Sequence, residues 1–149
     1  MSISTSTQRR WFKNHVQSLM AAILGEPVAP DGDGDFPLHG HTAQAWVRPA
    51  TGEPWGVLVF ALAAQNVPMR AAVLREINEV NSSDAAIRVA LHSGGTVMVD
   101  YRLFADAVTE DTLREVIGHV LAVADRIGSM LTAVHGGTTP LAASSPSEL

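Results

Sequence analysis

The chain of 149 residues contains no cysteine. Disulfides, thiolate metal sites and cysteine nucleophiles are thereby excluded, and a reducing compartment is compatible with the composition. Positive charge is scarce: lysine and arginine total 10 against 15 acidic residues, a formal net charge of −5. Phosphate recognition needs clustered cations, so nucleic acid is not an expected partner, and neither is an anionic membrane surface. No run approaches the roughly 18 consecutive apolar residues of a spanning helix. Catalytic signatures are missing too. No serine sits in Gly-x-Ser-x-Gly, there is no P-loop, and Gly32-Asp33-Gly34 lacks the helix that a dinucleotide fingerprint requires.

What is present suits one folded domain. The hydrophobic fraction is 46% and the charged fraction 17%, values that argue against global disorder. Gln8-Arg9-Arg10-Trp11-Phe12-Lys13 resembles part of a twin-arginine export signal. His15, Gln17 and Ser18 interrupt the segment behind it, and the apolar run left at Leu19–Leu24 falls short of the roughly 7–15 residues of an export core. Phe12, Val16, Leu19, Met20 and Ile23 instead follow helical spacing, so an amphipathic helix over about Arg9–Leu24 and a cytoplasmic location are expected.

Gly25 and Pro27 end that helix. Phe36–His39 is a short strand, with Pro37 arguing for an edge. His41–Val47 alternates Ala43, Ala45 and Val47 against Thr42, Gln44 and Trp46, and Arg48–Pro54 reads as turn. Trp55–Ala63 is apolar on both faces, which implies a central position or cover on both sides. Pro68 suits the first position of a second helix, whose stripe is Met69, Val73, Ile77 and Val80. Ile87–Leu91 and Val97–Leu103 form a hairpin across Ser93-Gly94-Gly95. Thr109 caps a last helix, with Glu110 and Asp111 in its first turn. Its stripe of Leu113, Ile117, Val120, Ala124, Ile127, Leu131 and Val134, widened by Val116, Val123 and Met130, suits a helix on a sheet better than a coiled coil. The order α-β-β-β-α-β-β-α, with hairpins in place of crossovers, predicts an α+β fold with a largely antiparallel sheet packed by helices. Residues 1–8 are expected as a flexible N-terminus, 9–135 as the domain and 136–149 as a disordered tail.

Asp31-Gly-Asp-Gly-Asp-Phe-Pro-Leu-His-Gly-His41 looks like a metal site. An EF-hand loop counted from Asp31 needs glycine at its sixth position and glutamate at its twelfth. Those positions hold Phe36 and Thr42. His39 and His41 would share one face of an extended strand. A catalytic zinc still needs a third ligand, from Asp35 or a distant His92, and no spacing demands one. A solvated loop with turn-flanking histidines is the better reading, and no metal or cofactor is expected.

Leu74–Ser83 (LREINEVNSS), the hairpin Ala86–Leu103 (AIRVALHSGGTVMVDYRL), Gly34–Leu38 (GDFPL) and the opening Thr109–Leu113 of the last helix together resemble the YbjN-like proteins, which share the fold of type III secretion chaperones. The resemblance covers roughly residues 9–135. It implies a small, often dimeric, non-enzymatic domain with a protein or peptide client, chaperone-like or regulatory, and it offers no catalytic residues to carry over. Tryptophan is a common interface anchor. On an open sheet face, Trp46, Arg88, His92, Met98 and Arg102 would line a peptide-binding surface. Trp55 belongs to the same candidate set, although it and Trp46 would equally cap the core edge. Trp11 suits the core or an interface. A homodimeric binding module is therefore expected. The alternatives are a metal-binding protein or metal-dependent hydrolase using Asp31–His41, and a small-ligand sensor domain.

Overall fold

The computed structural model describes residues 5–142. The elements run α1 (Thr5–Leu24), β1 (Phe36–His39), β2 (Gln44–Ala50), β3 (Gly56–Ala64), α2 (Ala71–Ser83), β4 (Arg88–His92), β5 (Thr96–Phe104), a short 3-10 turn (Ala105–Ala107) and α3 (Glu110–His135). This is the expected order. The five strands form one antiparallel sheet in the order β1-β2-β3-β5-β4. The connection through α2 carries the chain to the far edge, and the hairpin brings β5 back beside β3.

The sheet buries one face. Ala45, Val47, Val57, Val59, Ala61, Val97, Val99 and Val89 point toward the helices and are buried. Against them lie Phe12, Val16 and Met20 of α1, Val73 and Ile77 of α2, and Leu113, Val120, Ala124, Ile127 and Leu131 of α3. α3 is apolar and long enough to cross a membrane by composition, but its apolar side is taken up by β3 and β5. The approach is close at Gly128, where an added Cβ would run into the Ala63 carbonyl. A bulge between Leu62 and Ala64 lets Ala63 and Ala64 both be buried.

Several local expectations are corrected. α1 begins at Thr5, earlier than Arg9, so part of the expected flexible N-terminus is helical. Thr5, Thr7 and Gln8 of this added turn are exposed and line a cleft together with Pro54, Trp55 and Ala105. β2 runs on to Ala50 through the stretch expected as turn. Pro49 is tolerated because β1 ends opposite Val47, leaving Pro49 with only β3 as a neighbour. α2 starts at Ala71, so Pro68 and Met69 precede it and Met69 is exposed. Met130 and Val134 are exposed, whereas Leu131 between them is fully buried, so the stripe is narrower than expected at the C-terminal end of α3.

The chain past His135 also differs from a disordered tail as far as residue 142. Gly136 and Gly137, both at positive φ, turn it so that Thr138 exchanges two backbone hydrogen bonds with Gln65 at the end of β3. Leu141 then donates to the Thr42 carbonyl at 3.0 Å. Residues 1–4 and 143–149, the remainder of the two expected flexible ends, lie outside the described residues.

The Asp31–His41 segment resolves into two turns. Asp31 Oδ1 accepts from the amides of Asp33 and Asp35, each at 2.9 Å. Asp35 is buried and accepts a two-pronged bond from Arg48, with both distances 2.8 Å. Gly40 and Ala43 close the β1–β2 turn. Asp125 of α3 reaches across to it, accepting from the amides of His41, Thr42 and Ala43. A side chain at position 40 would collide with that carboxylate, which explains the glycine between the histidines.

Candidate functional site

Strand pleating sends alternate side chains of the sheet away from the helices. The register aligns them in rows. Pro37, Trp46, Phe60, Asp100 and Arg88 form one row across all five strands, and His39, Gln44, Leu62, Met98 and Ala90 form the next. Arg48, Leu58 and Arg102 make a third. Each of these residues is half-buried or exposed, and no described helix covers them. The centre is apolar: Leu58, Phe60, Leu62, Trp46 and Met98. Trp46 stacks on Phe60 with ring centroids 5.4 Å apart, and the Arg48 guanidinium lies 4.9 Å from the Phe60 ring centre.

The charges around this centre are held in place. Arg88 pairs with Asp100 at 2.8 Å. Arg102 donates to the Pro54 carbonyl at 2.6 Å. Arg48, lying over the Phe60 ring, bonds the buried carboxylate of Asp35, and that bond raises its pKa above the ordinary arginine value against the opposing effect of burial. The face also carries the Asp100 carboxylate and the imidazoles of His39 in the second row and of His92 beyond it, opposite Thr96.

Of the six residues expected to bind a partner, Trp46, Arg88, His92, Met98 and Arg102 share this outer face. Trp55 does not join them. It sits at the start of β3, with its ring centroid 5.9 Å from that of Phe12 and its carbonyl accepting from Ala105. It therefore caps the core edge, as the plainer alternative held. Leu58, Phe60 and Leu62 were not in the expected set. Their signal was present in the two-sided apolarity of β3, read as central position or double cover. β3 is central, but its second face is covered by nothing described except neighbouring side chains.

The edges are less open than the face. Val89 of β4 turns its amide and carbonyl away from β5, and the Asn81 side chain satisfies both, at 2.8 and 2.9 Å. This gives the asparagine at the end of α2 a structural role. β1 is the other edge, shortened to four residues and carrying Pro37.

The acidic loop places carboxylate oxygens of Asp31, Asp33 and Asp35 within 4.8 Å of one another. Both Asp35 oxygens are engaged by Arg48 and one Asp31 oxygen by backbone amides, so the fold itself supplies the countercharge. His39 turns its Nδ1 to the Gly40 carbonyl at 2.9 Å, and neither histidine belongs to that cluster.

Comparison with curated protein sequences gave no match. Comparison with solved structures gave several of the same fold. The ExsC–ExsE complex contains a chain 16% identical, with a TM-score of 0.63, covering 88% of this chain and 97% of that one. The HopA1–SchA chaperone–effector complex contains one 11% identical, with a TM-score of 0.67, covering 86% and 99%. YbjN from E. coli is 14% identical, with a TM-score of 0.53, covering 93% and 97%. These likenesses establish the secretion-chaperone fold. Residues 10–143 match the sequence profile of TY-Chap1, and the chain therefore belongs to the family of T3SS (YopN, CesT) and YbjN peptide-binding chaperones.

Proposed function

We propose that this protein is a non-enzymatic binding module, chaperone-like or a regulatory adaptor, that holds an extended segment of a client protein on the outer face of its sheet. The observation that carries this reading is the apolar ladder of Trp46, Leu58, Phe60, Leu62 and Met98, left uncovered at the centre of a sheet whose other face is fully packed. Family membership supports a peptide as occupant, and two similar structures are complexes, one of them described as chaperone with effector. A client side chain laid over Phe60 removes apolar surface on both sides, worth about 25 cal/mol per Å². Arg88, Arg102 and His92 border the ladder and set polarity at its rim. Any strand addition falls to β1, because Asn81 occupies the β4 edge.

The same reading includes a homodimer and a cytoplasmic location. Met69 and Leu74, exposed beside and on α2, are large apolar side chains with no cover of their own and suit a second subunit. Light scattering checks this; a strict monomer at high micromolar concentration refutes the dimer.

Binding is tested on an array of extended peptides probed with the wild type and with Trp46→Ala/Phe60→Ala. Both side chains are on the outer face, so folding survives, and peptide retention is expected to fall at least about tenfold. An array on which nothing is retained, or on which the double variant binds as well as the wild type, refutes the assignment to this face.

A further inference from the structure

A cleft opens where the N-terminal turns of α1, the β2–β3 turn and the end of β5 meet. It measures about 990 Å³ and is lined by Trp11, Trp55, Phe104 and Pro54, with Glu53 and Asp106 as its charged lining residues. Trp11 is 64% exposed and Phe104 52% exposed. Two large aromatic side chains left in solvent along one cleft, one from α1 and one from the end of β5, are the signature of a contact surface rather than of a core. Trp11 is held in place by stacking on His15, with centroids 5.2 Å apart and planes at 7°. Trp55 also lines it, half-buried and fixed by Phe12 and by the bond from Ala105. Neither Glu53 nor Asp106 is in an ion pair among the described residues. The neighbouring cation, Arg102, is already committed to the Pro54 carbonyl, and its guanidinium lies 5.9 Å from the Phe104 ring. Through Arg102 the cleft is continuous with the outer face.

We infer that this cleft is a subsite for a basic, apolar-anchored stretch of the client: a large apolar side chain between Trp11 and Phe104, followed by lysine or arginine facing Glu53 and Asp106. The inference rests on the peptide-holding function proposed above and adds the charge of the segment held. Aromatic faces attract a cation directly, and two unpaired carboxylates at the rim add to that attraction. An acidic segment meets repulsion from the same two groups. In a protein with net charge −5, the cleft extends the overall preference to a specific place.

Three synthetic peptides, identical except for a pair of lysine, glutamine or glutamate residues beside one phenylalanine, separate the possibilities. Affinity is read by anisotropy at low ionic strength with the full chain. The lysine peptide is expected to bind roughly tenfold tighter than the glutamate peptide, from two exposed charge contacts. In Glu53→Gln/Asp106→Asn the preference is expected to shrink to within about twofold, and in Trp11→Ala all three peptides weaken. Equal affinity of the lysine and glutamate peptides for the wild type overturns the inference. So does a preference that persists in Glu53→Gln/Asp106→Asn. Binding lost in Trp46→Ala/Phe60→Ala but unchanged in Trp11→Ala also overturns it, while leaving the peptide-holding function intact. Failure of all three peptides overturns it as well, and the array experiment then decides the broader function separately.

Discussion

Asp125 ties the two layers of the protein together, and its replacement by asparagine is a quantitative test of that role. One oxygen accepts the amides of Thr42 and Ala43, both at 2.9 Å, and the Thr42 hydroxyl at 3.3 Å. The other accepts the His41 amide at 3.0 Å. In Asp125→Asn the carbonyl oxygen keeps the Thr42 and Ala43 amides as neutral bonds, and the new NH2 faces the His41 donor. A bond to a charged group contributes about 1.5–3 kcal/mol and a neutral one about 0.5–1.5. Two bonds weakened by about 1 kcal/mol each and one lost at an exposed amide, at about 1.5, come to about 3–4 kcal/mol, or about 6–16 °C in Tm for a chain of this length. Urea unfolding followed by tryptophan fluorescence measures the difference. Burial pushes the Asp125 carboxyl up, but the three amides and the Thr42 hydroxyl outweigh it and hold the pKa below its ordinary value. A depressed carboxyl contributes stability that is fully present above the unfolded value, near about 4, and is lost as pH falls through the folded pKa. The gap between wild type and Asp125→Asn is therefore constant near neutrality and closes in acid. A gap under about 0.5 kcal/mol at pH 7, or one that persists undiminished in strong acid, refutes the reasoning.

Other substitutions test the remaining joints. Arg48→Met leaves the buried Asp35 carboxylate without its partner and is expected to cost about 2–4 kcal/mol by chemical denaturation. Adding Asp35→Asn recovers part of that loss, and a single variant as stable as wild type contradicts the pairing. Gly128→Ala improves helix propensity by about 1 kcal/mol but drives a methyl into the Ala63 carbonyl, so a net loss of about 2 kcal/mol is expected. A raised melting temperature would show that α3 sits farther from β3. Thr109→Ala removes the hydroxyl that accepts from the Thr112 amide at 3.1 Å, one half of the reciprocal cap, and leaves the 2.9 Å bond from its own amide to the Thr112 hydroxyl. The expected loss is about 1 kcal/mol, and an unchanged urea midpoint would mean the cap contributes nothing.

The amino-acid sequence by itself determined the element order, because periodicity is a local property. Alternation over Val97–Leu103, helical spacing over Leu113–Leu131 and the Thr109 cap are each legible within a few residues of chain. The fold family was legible for the same reason, through the order of those elements and the soft patterns of Leu74–Ser83 and Ala86–Leu103. Part of the candidate face was legible too. Trp46, Arg88, His92, Met98 and Arg102 have the parity opposite to the buried positions of their strands, and parity alone puts them on one side.

What stayed hidden depends on neighbours distant in the chain. Nothing near Leu58, Phe60 or Leu62 distinguishes a second buried face from an open one; the placement of α1, α2 and α3 all on the other side decides it. Pro49 reads as a turn until β1 is seen to end opposite Val47. Thr138–Leu141 reads as a loose end until its partners at Gln65 and Thr42 are in place. Asp35 and Asp125 look like surface carboxylates, yet one is buried against Arg48 and the other clasps a turn more than 80 residues away in sequence. Trp11, Trp55 and Phe104 come from three separate segments, so the cleft they line exists only in the folded chain. Local pattern fixes which way a side chain faces within its own element, whereas burial and charge pairing depend on what the rest of the chain brings to that place.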